Sequence, residues 1–339
     1  MNNTTYGADI AREAAIYVHV MEILFGIIGT IGNTVVLIVI LNTKKLRTMT
    51  NYLILNLAVA DLLVSILLVA NHYPINAYTL TVPAGEAGEA FCRFYYSAVL
   101  FWITIKASTF NLILVTFERY FAIIYPLSYH IFYTRNNVTV MVVISWSLAF
   151  LLEMVFVVFH RYNDGKCHLF VYPSSSVGVG LGIFNFLISY FIPIIVMVWA
   201  YGRILVNLRK RASDIAAGSS DINRARTLLQ ARTRVIRMLL MVLLAYAICW
   251  TPDSFLFLAH NTGAPISYTA DYFKVVVLLA FANSCLNPFI YVFKYKQFRK
   301  VFFKCFCCCV ARFQNKVEDA SIAEPLSAVV NTKALIRAL

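Results

Sequence analysis

The sequence predicts an all-α membrane protein, a bundle of seven transmembrane helices. Three observations carry that prediction. Of 339 residues, 60% are hydrophobic and only 13% are charged, with mean hydropathy +0.73, whereas a soluble domain carries about 25% charged residues. The apolar residues fall in blocks as long as a bilayer crossing requires, about 20 residues or more. The basic residues crowd into alternate gaps between those blocks.

The blocks cover about 16–42, 50–77, 93–124, 137–160, 177–208, 231–260 and 271–294. The first includes an uncharged run from Ile23 to Leu41, too long for a signal-peptide core and without a basic leader or small-residue cleavage site, so it is read as a retained span. The chain therefore divides into an extracellular arm at 1–15, the bundle at 16–294, a juxtamembrane segment at 295–306 and a polar tail at 307–339. The arm offers two overlapping glycosylation acceptors, Asn2 and Asn3. A third match at Asn137 falls on the cytoplasmic side and should be silent.

Orientation follows from the basic residues. Lys44, Lys45, Arg47, Arg119, Arg135, the run from Arg203 to Arg237 and the run from Lys294 to Arg337 belong to one side, which should be cytoplasmic. The N-terminus is then outside and the C-terminus inside. The net charge of +13 follows from this topology and from attraction to anionic inner-leaflet lipid, so no nucleic-acid partner is implied.

Cys92 and Cys167 lie outside, where oxidation is permitted, and are expected to form a disulfide. Cys305, Cys307, Cys308 and Cys309 follow the seventh span among basic residues, which suits palmitoylation; zinc is the competing idea, but its paired spacing is missing. The outer loop at about 161–176 sets Cys167 beyond Asn163-Asp164-Gly165, a hairpin signal. The inner loop at about 209–230 carries Ala-Gly-Ser-Ser in its middle and reads as mobile.

An ionisable group at mid-membrane costs about 2.5–3.5 kcal/mol on insertion scales and calls for a reason. Asp61 sits in the middle of the second span, Ser108 in the third, and Asn283 and Asn287 share one face of the seventh. If these converge, one carboxylate and neutral oxygens suit a small hard cation, sodium by availability; the alternative is a water-filled hydrogen-bond network. Pro193, Pro252 and Pro288 each remove a backbone donor and kink their helices, and the last two read as hinges.

At this point the residues resemble a known family. Gly32-Asn33, Leu57-Ala58, Asp61, Glu118-Arg119-Tyr120, Trp146, Pro193, Tyr201, Cys249-Trp250 with Pro252, and Asn287-Pro288 with Tyr291 occur in the order and at the depths of the rhodopsin-like (class A) G-protein-coupled receptors. The chain is most similar to the peptide-binding members. The resemblance covers about 16–306 and implies a receptor, not an enzyme, that binds an extracellular agonist and activates a heterotrimeric G protein. It implies that Glu118 holds Arg119 at rest and that Arg119 then meets the G protein. Tyr201 and Tyr291 would swing inward, Trp250 would respond to ligand above the Pro252 kink, and Asp61, Ser108, Asn283 and Asn287 would hold an allosteric sodium ion. No other cofactor is implied. The resemblance also implies that the segment at 295–306 forms a short amphipathic cytoplasmic helix lying on the inner leaflet, with Phe298, Phe302 and Phe303 facing lipid.

Some positions depart from the family's pattern. Cys92 lies two residues further from Arg119 than usual, so the top of the third span should be irregular. Glu118 replaces the commoner aspartate, and Pro193, Thr109 and Tyr246 stand at a cluster usually built otherwise. Arg232 occupies the position where some members place an acid to pair with Arg119, which predicts activity without agonist.

The candidate ligand contacts are Phe101, Trp102, Ile105, Trp250, Asp253, Phe257, His260 and Lys274. Phe101 cannot pair with an ammonium, which argues against a monoamine, and Phe281 offers no amine for retinal. Asp253 either receives a cationic group of the ligand or neutralises Lys106 internally. A short arm, a hairpin at Cys167 and the rim acids Glu86 and Glu89 favour a small basic or amidated neuropeptide; a lipid or other small molecule is the alternative. Outside the family, a transporter would need internal repeats and a lined polar path, a channel a pore ring, and a hydrolase a nucleophile with its base. None is visible in the sequence.

Overall fold

The computed structural model describes residues 3–71, 82–216, 222–267, 270–294 and 299. Ten α-helices and one hairpin make up the described fold: α1 (Asn3–Asn42), α2 (Met49–Asn71), α3 (Gly85–Ala90), α4 (Val99–Ile124), α5 (Pro126–Phe132), α6 (Arg135–Val157), β1 (Arg161–Asn163), β2 (Lys166–His168), α7 (Ser175–Phe186), α8 (Ile192–Ala216), α9 (Ile222–Asn261) and α10 (Asp271–Lys294). Seven spans are long and apolar enough to cross a membrane, at Ile16–Asn42, Met49–Ala70, Gly85–Ile124, Arg135–Val157, Ser175–Ser213, Arg232–Asn261 and Tyr272–Phe293. The sequence blocks find these seven, in order.

Two expectations about the ends of helices are revised. Helix starts at Asn3, where the sequence reads as an arm, and the inner loop is helical up to Ala216 and again from Ile222. Asn2, the amphipathic helix apart from Arg299, and Cys305, Cys307, Cys308 and Cys309 lie outside the described residues.

The third and fifth spans are each interrupted. A π-helical turn over Phe91–Tyr96 joins α3 to α4, and Ala98 follows in the left-handed region at φ 53°. Together they absorb the extra residues between Cys92 and Arg119, so the irregularity expected at the top of that span is present. A second π-helical turn, Leu187–Phe191, lies just ahead of Pro193. The proline's ring and missing N–H disturb the preceding turn, and the wider turn accommodates that.

Small residues let α1 approach its neighbours closely. A Cβ on Gly29 would come within 2.2 Å of Ser65 Oγ, and one on Gly26 within 2.2 Å of a Val69 methyl. Large apolar side chains point both ways, as a bilayer permits. Leu53, Leu57, Ile204 and Ile236 are buried at helix contacts, while Ile31, Leu151 and Val206 are exposed on the outer surface of the bundle.

The outer loop is the predicted hairpin, with Tyr162 opposite Cys167. Asp164 and Gly165 take φ of 47° and 75°, the two consecutive positive values of a tight primed turn, which favour Asp-Gly. Cys167 bonds Cys92, tying the hairpin to the top of the third span. Glu89 reinforces this by accepting from Tyr162 N at 2.7 Å and pairing with Arg93 at 2.6 Å and Arg161 at 3.2 Å.

Candidate functional site

Three polar constellations lie along the axis of the bundle. In the middle, Asp61 is fully buried on α2. Its Oδ1 accepts from Ser108 Oγ at 2.9 Å and Ser284 Oγ at 3.0 Å, and its Oδ2 accepts from Asn287 Nδ2 at 2.7 Å. Ser108 and Asn287, named from the sequence, thus reach Asp61, and so does Ser284, which the sequence reading does not name and which lies one helical turn before Asn287 on the same face. Asn283 does not hydrogen-bond Asp61. Its Oδ1 and that of Asn287 are buried acceptors without a hydrogen-bond partner. Asn33 donates to Gly29 O at 2.9 Å and Ser284 O at 3.1 Å, fastening α1 to α10. Trp146 donates to Asn56 at 3.0 Å, and Asn56 donates to Asn111 at 3.0 Å, which joins α6, α2 and α4.

At the end of α4 remote from the disulfide, Arg119 is held by its neighbours. Its Nε donates to Glu118 Oε2 at 2.5 Å, and its terminal nitrogen donates to both Glu118 and Thr50. Glu118 is completely buried and also accepts from Thr50 Oγ1 at 3.0 Å and Tyr129 OH at 2.6 Å. Tyr129 lies on α5, outside the spans. Burial, helped by the Glu118 carboxylate, pushes its phenol far above the usual range, so it remains a donor. The Tyr201 and Thr116 hydroxyls are 3.0 Å apart, and Tyr201 and Tyr291 are both buried. Tyr120 turns the other way and packs on Trp199, with ring centres 5.2 Å apart. The charges of Arg211 and Arg119 reach Arg232, and among the described residues no carboxylate pairs with it.

At the outer end, a cavity of about 100 Å³ opens between α4, α6, α7, α9 and α10. Trp102, Ile105, Trp250, Asp253 and Phe257 line it, as the sequence predicts. Three predicted contacts do not. Phe101 is buried edge-on against Phe281, with ring centres 5.0 Å apart, because it faces α10 while its neighbour Trp102 faces the cavity. His260 Nδ1 lies 3.3 Å from Ile266 O, and Lys274 is also outside the lining, where Phe273 takes its place.

The pairing expected between Lys106 and Asp253 is replaced by another. Lys106 Nζ lies 2.8 Å from Glu153 Oε2, and both side chains are almost fully buried. Asp253, half-buried on the cavity wall, has neither an ion pair nor a hydrogen bond among the described residues. The sequence also misses His160 and Phe170 as lining residues. His160 Nδ1 donates to Phe156 O at 3.0 Å. Phe170 follows the disulfide-anchored hairpin and packs on Phe257, with ring centres 5.6 Å apart. The signal was its position three residues past Cys167, because the bridge draws this loop over the cavity.

Sequence comparisons agree with this architecture. A profile of the family described as 7 transmembrane receptor (rhodopsin family) matches residues 32–291. Galanin receptor type 2 of Homo sapiens is 32% identical, over 85% of this chain and 72% of its own. A cholecystokinin receptor of Xenopus laevis is 28% identical, over 87% of this chain and 78% of its own. The tachykinin-like peptides receptor 86C of Drosophila melanogaster is 28% identical, over 86% of this chain and 59% of its own. The match spans every constellation described above, and the chain belongs to the rhodopsin family of seven-transmembrane receptors.

Proposed function

We propose that this receptor binds an extracellular peptide at the outer cavity and activates a heterotrimeric G protein at its inner face. One observation carries the reading: an aromatic cavity roofed by a disulfide-anchored hairpin and a restrained Arg119 lie at opposite ends of one bundle. The lysine and arginine distribution supports an outer N-terminus and an inner C-terminus. A cavity of about 100 Å³ suits one side-chain head of a ligand whose remainder lies above. The relatives named for peptides support that class of agonist over a lipid.

The inner face fits a protein partner. Leu127 is 92% and Ile131 70% exposed, four residues apart on α5, beside the Tyr129 that restrains Glu118. Docking there is coupled to release of Arg119 through that hydrogen bond. Arg232 repels Arg119 instead of pairing with it, which supports measurable nucleotide exchange without agonist. A basal signal no higher than that of mock-transfected cells would contradict this last point.

The middle constellation fits a sodium ion. Asp61 supplies a carboxylate, and the unpartnered Oδ1 atoms of Asn283 and Asn287 supply neutral oxygens, the hard donors such an ion takes. Bound there, the ion would supply positive charge beside Asp61. The peptide reading is tested by screening an amidated peptide library on cells expressing this chain with a promiscuous G protein. An agonist response abolished by Arg119→Ala supports it, and substrate flux without nucleotide exchange would replace it with a transporter.

A further inference from the structure

We infer that the outer cavity recognises an arginine side chain, whose guanidinium sits on Asp253. This rests on the cavity being the agonist pocket and goes on to name the chemistry of the group that enters it. Three ionisable side chains line the cavity besides His160: Lys106, Glu153 and Asp253. Lys106 and Glu153 form a close pair at 2.8 Å, so one ammonium is committed to one carboxylate. Asp253 is left with no hydrogen bond or ion pair among the described residues, and the cavity carries one uncompensated negative charge. An unbalanced carboxylate on a largely apolar wall is costly to maintain. A cation brought by the ligand balances it.

The surroundings favour a guanidinium over an ammonium. Trp102, Trp250 and Phe257 line the same space, and a planar cation stacks on aromatic rings of this kind. A guanidinium has five donors in a fixed fork, more than one carboxylate can accept. The Ser189 and Ser254 hydroxyls on the lining can take the surplus. The cavity's size agrees, since it has room for a side-chain head. Lys106 acts here as a positioning residue: by holding Glu153 it keeps that acid from competing with Asp253 for the ligand's charge.

The test uses the full chain, purified in lipid nanodiscs, with L-arginine amide as the probe at millimolar concentration. Its neutral isostere L-citrulline amide and its ammonium counterpart L-lysine amide are the controls. Arginine amide is expected to raise the thermal unfolding midpoint in a saturable way, lysine amide less, and citrulline amide not at all. Asp253→Asn should weaken half-saturation at least tenfold. No saturable rise, an equal rise with citrulline amide, or an unchanged response in Asp253→Asn would each overturn the inference. If Asp253→Asn does not fold, the arginine and citrulline arms on the natural chain decide. Failure here would leave the peptide-receptor reading intact, because nucleotide exchange tests that independently.

Discussion

Asp61 and Asp253 are both aspartates set into apolar helices of one bundle, yet their surroundings differ in kind. Asp61 is fully buried and meets three side-chain donors from α4 and α10. Asp253 faces a cavity and meets none among the described residues. A carboxylate whose donors come from neighbouring helices reports how those helices are placed, which is what the proposed switch needs. One left without donors is unfinished until something arrives from outside.

The sharpest challenge to this contrast is the ion pair beside Asp253. Lys106→Met leaves Glu153 buried without its cation and should cost about 3–5 kcal/mol of stability. Adding Glu153→Leu should recover most of that loss, since an apolar pair of similar volume tolerates the site. Thermal unfolding of the purified receptor reads both. A single variant as stable as the natural chain would mean that Lys106 does not hold Glu153.

Replacing each aspartate by leucine should then give opposite signs. Asp61→Leu strands Ser108, Ser284 and Asn287 as buried donors, and at about 1–3 kcal/mol for each unsatisfied group the total loss is at least about 3 kcal/mol. Asp253→Leu removes a charge without a partner among aromatics, so stability should hold or rise while agonist potency falls. Equal destabilisation of the two variants would erase the distinction between switch and pocket.

Tyr129→Phe probes the inner end with a smaller effect. It removes one hydrogen bond to the Glu118 carboxylate, worth about 1.5–3 kcal/mol for a charged acceptor. Arg119 is thereby less restrained, and nucleotide exchange without agonist should increase. Unchanged exchange would show that α5 does not restrain Arg119 through Glu118.

How far these sites are legible in the sequence depends on what surrounds each helix. Asp61, Ser108 and Asn287 can be read because a polar group in a span must face inward, whatever the helix rotation. The hairpin is legible because Asp-Gly suits consecutive positive φ values. That Phe101 lies outside the cavity lining and Phe170 within it is not legible for the opposite reason: lipid and protein core are both apolar, so an aromatic side chain does not reveal which it faces. The Lys106–Glu153 pair is hidden differently. Three charges near one depth allow two pairings, and only the rotation of α6 against α4, which no local signal encodes, selects between them.

His160 tests the cavity wall through pH, and its effect should be the smallest. It lies beyond the last residue of α6, outside the span, and burial holds its imidazole below the ordinary range, opposed by its bond to the Phe156 carbonyl and by the Glu153 charge. The unfolded chain takes up that proton near pH 6.5 while the native imidazole refuses it. Stability from this group is therefore complete above about 6.5 and is lost as pH falls below that value toward the lower native pKa. His160→Gln cannot titrate, so the gap in unfolding midpoint between natural chain and variant should narrow in favour of the variant from pH 7.5 to pH 5. Other buried acids titrate in both proteins and cancel in that difference. Parallel curves would mean that His160 is protonated freely and that the cavity wall beside Glu153 is wet.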